Sequence, residues 1–208
     1  MIWSMAWHEI IIYLPIVVFS LTVHEFAHGY AALLCGDPTA KYQGRLTLNP
    51  LRHLDPFGML AMLIAPIGWA KPVPVNTRNL KNRRYGISLV SLAGPLSNLL
   101  VSFVALLIYI KIVFRIAPDS EVLYFFFTLM AIANLGLAVF NLLPIPPLDG
   151  SKIFLTLLPY KMQETIWRYE QYGFIVLLFV IFQLSPYISE AVYFLLDKLI
   201  LFIDFLPF

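Results

Sequence analysis

The sequence contains little charge and almost no cysteine. Only 12% of its 208 residues are charged, against about 25% in an ordinary soluble domain, and 60% are hydrophobic. A soluble fold of this size leaves roughly a third of its unfolded surface exposed, so it cannot bury so much apolar surface. This composition excludes a soluble globular protein, a disordered protein and a nucleic-acid-binding protein. The chain is predicted to be an integral membrane protein.

Two further absences narrow the class. The single cysteine, Cys35, excludes an internal disulfide framework and a multi-cysteine metal site. No basic stretch precedes the first apolar run, so a cleavable signal peptide is not expected. The net charge is only +2, which indicates no long-range attraction to an anionic partner.

Three long apolar runs are predicted to cross the membrane, because a helix needs about 20 residues to cross the hydrocarbon core. These runs are about 10–34, 87–114 and 122–143. The Gly-Asp-Pro sequence at 36–38 follows the first run and Pro144 follows the third, so both helices are expected to end there. The predicted fold class is an all-α polytopic membrane protein, a helical bundle formed by one domain over residues 1–208.

Shorter apolar regions are predicted to form the irregular parts of this bundle. Phe57–Trp69 is too short to span and contains a proline and a glycine, so a re-entrant element is expected between the first and second spans. Prolines and β-branched residues in Gly68–Asn76 favour extended backbone or an edge hairpin. The C-terminal region, about 172–206, is expected to break near Ser185–Pro186 into two short helical pieces.

Basic residues are distributed unevenly between the predicted loops. Loops 35–86 and 144–171 contain eleven Lys and Arg and lie on one side if Phe57–Trp69 re-enters; the other side has only Lys111 and Arg115. Because cytoplasmic loops have an excess of Lys and Arg, the first side is predicted to face the cytoplasm. If Phe57–Trp69 spanned instead, the split would be five against eight, so the distribution favours the re-entrant interpretation.

The first predicted span contains His24-Glu25-Phe26-Ala27-His28. Histidines four residues apart lie on one face of a helix, so both rings can reach one zinc ion. Glu25 lies beside them and can take a proton from water activated by zinc. An ionisable side chain inside a span costs about 2.5 to 3.5 kcal/mol and is functional by default. The alternative is a polar pair satisfied by neighbouring helices.

A third ligand is needed, because a catalytic zinc site normally has three protein ligands and an open position for water. Asp149 is one candidate, since three prolines in 141–150 prevent regular helix just before it. Non-helical backbone at membrane depth is tolerated only where it is buried in protein or lines a wet cavity. Asp149 could instead cap a helix that starts near Lys152. His53 is the rival ligand, or it lines the entrance to the site.

The second predicted span opens with small residues and an amide. Gly94 and Ser97 are small enough to allow close helix contact. Asn98 is more informative, because a buried amide could hold a substrate backbone or stabilise an oxyanion.

In combination, these motifs resemble the site-2 protease family of intramembrane zinc metalloproteases, peptidase family M50. The matching segments occur in the family's order: His24-Glu25-Phe26-Ala27-His28, Gly94-x-x-x-Asn98 and Asn141-x-x-Pro144-x-x-Pro147-Leu148-Asp149-Gly150. No stretch is long or polar enough for the PDZ domain that many members contain. The resemblance therefore implies a minimal, PDZ-less member of prokaryotic type.

The resemblance also implies roles for the motif residues. The implied zinc ligands are His24, His28 and Asp149. Glu25 would be the catalytic base, with Asn98 and Asn141 in substrate positioning. The implied function is a Zn²⁺-dependent intramembrane endopeptidase that cleaves a transmembrane protein substrate within the lipid bilayer of a bacterial or archaeal cell membrane. Its active site would lie toward the cytoplasm.

Two other classes of protein compete with this interpretation. An intramembrane metal or ion transporter also places histidine and aspartate inside the membrane. A transporter has no need for Glu25, however, and would more often have repeated halves with paired broken helices, which the sequence lacks. A non-catalytic scaffold that binds a membrane partner would show no dependence on zinc.

Overall fold

The structure, a computed structural model, describes residues 7–58, 70–159, 162–163 and 173–207. Within these ranges it is a bundle of helices with no β-strand and one isolated antiparallel bridge between Leu54 and Ala70. Three helices of the described part are long and apolar enough to cross a membrane. The predicted fold class, an all-α polytopic membrane protein, is confirmed. The predicted re-entrant element falls mainly on residues 59–69, which lie outside the described ranges.

The helices follow the predicted spans to within a few residues. In chain order they are α1 (Trp7–Leu34), α2 (Thr39–Tyr42), α3 (Arg83–Ile108), α4 (Glu121–Asn141), α5 (Asp149–Leu155) and α6 (Gly173–Phe205). A short 3₁₀ turn at Pro50–Arg52 follows α2. Beyond its α-helical part, α3 continues through a π-helical turn at Tyr109–Val113 and a last turn at Phe114–Ile116.

The ends of the long helices are set by local chemistry. The side chain of Asn82 accepts a hydrogen bond from the Tyr85 N–H at the start of α3, and Ser120 does the same for Leu123 at the start of α4. At the other end of α1, Gly36 has a φ of 106°, which lets the chain leave the helix in a conformation that other residues rarely adopt. These caps fix where each span begins or ends.

Helix α3 is the central element, since it contacts α1, α4, α5 and α6. One core cluster joins the α1 end to the start of α3, through Ala32, Leu80 and Val90. A second cluster packs the far half of α3 against α4 and α6. This arrangement places the His24–His28 face of α1 directly against α3.

The C-terminal region differs from its prediction. Helix α6 runs without interruption from Gly173 to Phe205 with Pro186 inside it, so the predicted break near Ser185–Pro186 does not occur. A proline removes one backbone hydrogen bond from a helix and can bend it without ending it, and α6 continues on both sides of Pro186. Local proline chemistry therefore gave the wrong boundary here.

Candidate active site

Three side chains with metal-binding atoms meet where α1 faces the start of α5. His24 and His28 lie one turn apart on α1, and their Nε2 atoms are 3.0 Å from each other. The Oδ2 atom of Asp149 lies 3.2 Å from the Nε2 of His24 and 3.1 Å from that of His28. All three side chains are buried. Among the described residues, this is the one group of three or more possible ligands gathered around a common point.

Asp149 reaches the histidines because the chain before it is irregular. The proline-containing stretch 142–148 forms turns instead of a helix, as predicted. Gly150 then passes so close to the backbone of Leu142 and Leu143 that a Cβ atom would not fit. Leu148 occupies the N-cap position of α5, and no side chain there hydrogen-bonds the first turn of the helix. The Asp149 carboxylate is thus turned toward the histidines instead of capping α5.

The Nδ1 atom of each histidine ring, which faces away from the other ligands, contacts an oxygen atom of α3. His28 Nδ1 lies 2.6 Å from the backbone carbonyl oxygen of Val90, and His24 Nδ1 lies 2.6 Å from Oδ1 of Asn98. A carbonyl oxygen only accepts hydrogen bonds, so Nδ1 of each ring must donate. In the neutral ring, Nε2 then has no hydrogen and presents a lone pair.

This donor set suits a zinc ion. With both rings neutral, two imidazole lone pairs and a carboxylate oxygen converge on one point, an arrangement that a bound cation stabilises. Zinc bonds of about 2.0 to 2.1 Å place tetrahedral ligand atoms roughly 3.3 Å apart. The three observed separations, 3.0, 3.1 and 3.2 Å, are close to that value. The residues present therefore fit zinc with little rearrangement.

Gly94 gives the two rings their space. A Cβ atom at this position would lie 2.6 Å from Nε2 of His24 and still closer to Nε2 of His28. Real Cβ atoms do not approach other atoms so closely, so only glycine fits here. The sequence predicted a small residue for helix contact, and the structure places it against the candidate ligands.

A cavity of about 380 Å³ opens onto the three side chains. Glu25 and Asn141 line it, together with Lys152 and the residues around Val73. The Glu25 carboxylate accepts a hydrogen bond of 2.7 Å from the Val73 N–H. The Asn141 amide donates to the Leu137 carbonyl at 2.9 Å. The predicted base and one predicted substrate-positioning residue therefore share a cavity with the candidate ligands.

The segment 71–76 forms one wall of this cavity and is anchored at several points. It forms neither helix nor strand, in partial agreement with the predicted extended backbone. Near its start, the Arg45 guanidinium donates to the carbonyl oxygens of Lys71 and Pro72 at 2.8 and 3.2 Å. The Lys71 N–H donates to the His53 carbonyl at 2.8 Å. These contacts were not predicted, since nothing in the local sequence indicates them.

Asp37 anchors the other end of the segment. Its carboxylate is fully buried and accepts hydrogen bonds from the Asn76 N–H at 2.6 Å, from the Asn79 amide at 2.8 Å and from Thr39. Burial alone would raise the pKa of Asp37, but these hydrogen bonds outweigh burial and hold the pKa below its ordinary value of 3.8. Sequence reasoning used Asp37 only as part of a helix stop.

Two predicted site residues lie away from the cavity wall. His53 is 1% exposed, and its Nε2 lies 2.7 Å from the Thr47 carbonyl oxygen. Asn98 has no exposed surface with which to contact a substrate, and it lies behind His24. The residues described around the cavity include neither of them. The structure thus brings Asp149, and not His53, to the two histidines.

Comparison with known proteins finds relatives that share one description. The sequence model of Peptidase family M50 matches residues 109–184, which include Asn141–Gly150. YwhC of Bacillus subtilis is 46% identical over 166 residues, 78% of this chain and 76% of the relative. Rip2 of Mycolicibacterium smegmatis is 33% identical over 186 residues, 86% of this chain and 70% of the relative. MJ0611 of Methanocaldococcus jannaschii is 39% identical over 78 residues, 38% and 35% of the two chains. Each is named "Putative zinc metalloprotease". No solved structure gives a significant match.

A bundle of membrane-length helices with two histidines and an aspartate around one cavity defines the class as a membrane metalloprotease. The extent of the matches to YwhC and Rip2 shows that the chain belongs to peptidase family M50. The predicted family resemblance is confirmed, and so is the predicted enzyme class, a zinc metalloendopeptidase. Its cofactor is zinc, as expected.

Proposed function

We propose that the protein is an intramembrane endopeptidase, which hydrolyses a peptide bond in or near a transmembrane segment of a membrane-protein substrate in regulated intramembrane proteolysis. One observation supports this most directly. Three buried side chains that can bind zinc share one cavity with a glutamate, Glu25. Three of these four residues lie on α1, which is long and apolar enough to cross a membrane. The proposed ligands are His24, His28 and Asp149, with Glu25 as the base.

Each side chain has a defined task in the proposed reaction. A bound zinc ion supplies Lewis acidity, which makes water acidic enough to lose a proton near neutral pH. Glu25 takes that proton and returns it to the leaving amine. The Val73 N–H, which donates to the Glu25 carboxylate, keeps this carboxylate facing the cavity. Asn141 also lines the cavity, and its proposed role is to orient the substrate backbone.

The substrate must unwind before it can react. In a transmembrane helix the carbonyl groups are hydrogen-bonded internally, so a scissile carbonyl is shielded until the helix opens locally. Substrates with glycine, proline or polar residues in their spans are therefore favoured. The segment 71–76 lines the cavity and forms neither helix nor strand, and its backbone is the proposed surface against which an unwound strand pairs.

The site is proposed to face the cytoplasm of a bacterial or archaeal cell membrane. This proposal depends on the excess of Lys and Arg in loops 35–86 and 144–171. Cysteine labelling or reporter fusions at Arg84 and Lys152 should place both positions in the cytoplasm. Labelling on opposite faces would contradict this topology.

The substitution Glu25→Gln tests the proposed function. Glutamine keeps the size of the side chain and removes its basic group, so zinc should remain bound while cleavage of a model transmembrane substrate falls by at least about 100-fold. Zinc stoichiometry and cleavage rate are measured on the same purified preparation. Glu121→Gln is the matched control, because α4 separates this residue from the cavity by roughly 30 Å, the length of a 21-residue helix.

The outcomes separate the competing functions. Full cleavage by Glu25→Gln with zinc bound would remove Glu25 from the mechanism. A transporter should keep most of its zinc flux in this variant, since its ligands are untouched. If the unmutated protein holds no zinc even after reconstitution with the metal, the proposed site is wrong.

A further inference from the structure

A buried polar network joins three membrane helices behind His24. Asn98 of α3, Asn134 of α4 and Ser20 of α1 are all fully buried. The Asn98 amide donates to Oδ1 of Asn134 at 2.8 Å and to the Ser20 carbonyl at 3.3 Å. The Asn134 amide donates to Oγ of Ser20 at 2.8 Å and to the Met130 carbonyl at 2.8 Å. Burying these three polar side chains has a cost in desolvation, which their mutual hydrogen bonds offset.

Every hydrogen bond in this network has one possible direction. The Met130 carbonyl can only accept, so the NH₂ group of Asn134 must face it. The Ser20 hydroxyl donates to the Ile16 carbonyl at 2.7 Å and therefore accepts from Asn134. The oxygen of Asn134 is then left facing Asn98, and it accepts from the Asn98 amide.

The same reasoning determines the tautomer of His24, a proposed zinc ligand. With both amide hydrogens of Asn98 directed to the Asn134 oxygen and the Ser20 carbonyl, its Oδ1 must face His24. That oxygen requires a hydrogen on Nδ1 of His24, so Nε2 is left with a lone pair toward Asp149. The direction of the whole chain is fixed by three backbone carbonyls that can only accept, those of Met130, Ile16 and Ser20.

We propose that Asn134 is a positioning residue, which holds His24 in its metal-binding tautomer by fixing the orientation of the Asn98 amide. This inference rests on the proposed role of His24 as a zinc ligand. Groups that orient zinc-binding histidines through their second nitrogen typically change metal affinity by 10–100-fold when they are removed. Asn134 does not line the cavity, and its proposed route to His24 is the Asn98 amide; its other partner on α1, the Ser20 hydroxyl, makes the double variant below necessary.

Removal of Asn134 should change the proton position on His24. In Asn134→Leu, a side chain of similar volume, the Asn98 amide loses its nearer acceptor and keeps only the longer bond of 3.3 Å to the Ser20 carbonyl, so a population rotated by about 180° is expected. The rotated amide presents its NH₂ group to Nδ1 of His24, which then accepts and moves its hydrogen to Nε2. A hydrogen on Nε2 blocks the bond to zinc.

Zinc dissociation constants from chelator competition test this coupling. Asn134→Leu and Asn98→Leu should each weaken zinc binding by about 10- to 100-fold. In the double variant, Asn134→Leu should add less than about threefold to the effect of Asn98→Leu, because it acts through that amide. Ser102→Ala is the matched control: Ser102 lies one turn after Asn98, is equally buried, and its hydroxyl has no hydrogen-bond partner among the described residues. It should bind zinc like the unmutated protein.

A conservative variant and a spectroscopic readout exclude a merely structural effect. A buried neutral aspartic acid keeps one acceptor and one donor, so Asn134→Asp should retain zinc affinity within about threefold. In the metal-free protein with ¹⁵N-labelled histidine, NMR should show Nδ1-protonated His24 before substitution and an Nε2-protonated population in Asn134→Leu. The resonance is assigned by its loss in His24→Gln.

Failure of the inference and failure of the proposed function give different results. If His24→Gln leaves zinc affinity unchanged, the proposed ligand set is wrong. If His24→Gln abolishes binding while Asn134→Leu has no effect, or has its full effect in the Asn98→Leu background, the positioning role is wrong. Equal losses in Asn134→Asp and Asn134→Leu would also overturn it.

Discussion

The substitution Gly94→Ala should damage the metal site although it adds only one methyl group. The new Cβ would lie 2.6 Å from Nε2 of His24 and closer still to Nε2 of His28. Carbon and nitrogen atoms in contact prefer separations of about 3.5 to 4.0 Å, so the rings must retreat by roughly 1 Å. They cannot do so freely, because Asn98 and Val90 each hold one ring through a hydrogen bond of 2.6 Å.

The expected loss follows from that geometry. Changing a group that only orients one ligand costs 10–100-fold in metal affinity, whereas Gly94→Ala displaces two proposed ligands at once. We therefore expect zinc binding to weaken by at least about 100-fold, which corresponds to about 2.7 kcal/mol. Cleavage of a transmembrane substrate at limiting zinc should fall in parallel. Excess zinc should restore only part of the activity, because the rings stay displaced.

Chelator competition on purified protein measures the zinc dissociation constant. Gly136→Ala is the matched control, since a Cβ at Gly136 of α4 would meet no other atom within 4 Å. This control should bind zinc normally and be as stable as the unmutated protein, or up to about 1 kcal/mol more stable, because alanine is the better helix former. If Gly94→Ala binds zinc within about threefold of the unmutated protein, the proposed position of the metal between the two rings is wrong.

Three further predictions test other parts of the structure. Asp149→Ala should strip zinc from purified protein far more than His53→Ala, and the reverse order would contradict the ligand set. Lys152→Met should change zinc affinity less than about fivefold, because its Nζ is half-exposed and 3.6 Å from Oδ1 of Asp149; a larger change would show that this ion pair holds the carboxylate. Asp37 has a lowered pKa in the folded state, so its contribution to stability is complete above the unfolded pKa near 3.8 and is lost as pH falls through the folded pKa. Thermal unfolding midpoints should drop in that acidic range, and Asp37→Asn should lower the midpoint at pH 7 and flatten its acid dependence.

The parts of the fold that follow from local pattern could be predicted from the sequence. The spans depend on the length of apolar runs, and α1, α3 and α4 begin and end within a few residues of their predictions. The pairing of His24 with His28 depends only on helical spacing, which is the same wherever the helix lies. Asp149 required more, because its position depends on an irregular stretch: the prolines made it a candidate beside His53, and the family resemblance then favoured it.

The parts that depend on distant partners could not be predicted. Asn134 hydrogen-bonds Ser20, which is 114 residues away, and Asp37 accepts from Asn76, which is 39 residues away. An asparagine in an apolar helix indicates a polar contact but not its partner. The unbroken α6 has a related cause, since the tolerance of a proline is decided by the surroundings of the whole helix.

The geometry of the candidate site depends mainly on a helix that supplies none of its proposed ligands. Val90, Gly94 and Asn98 follow one another at intervals of four on α3 and form a stripe against the histidine face of α1. Val90 holds one ring through its backbone carbonyl, which no side-chain substitution removes, whereas Asn98 holds the other through its side chain. Substitution at Val90 should therefore affect packing before it affects zinc, and substitution at Asn98 should affect zinc first. Because the same stripe sets both rings, any movement of α3 along α1 must change both histidines together.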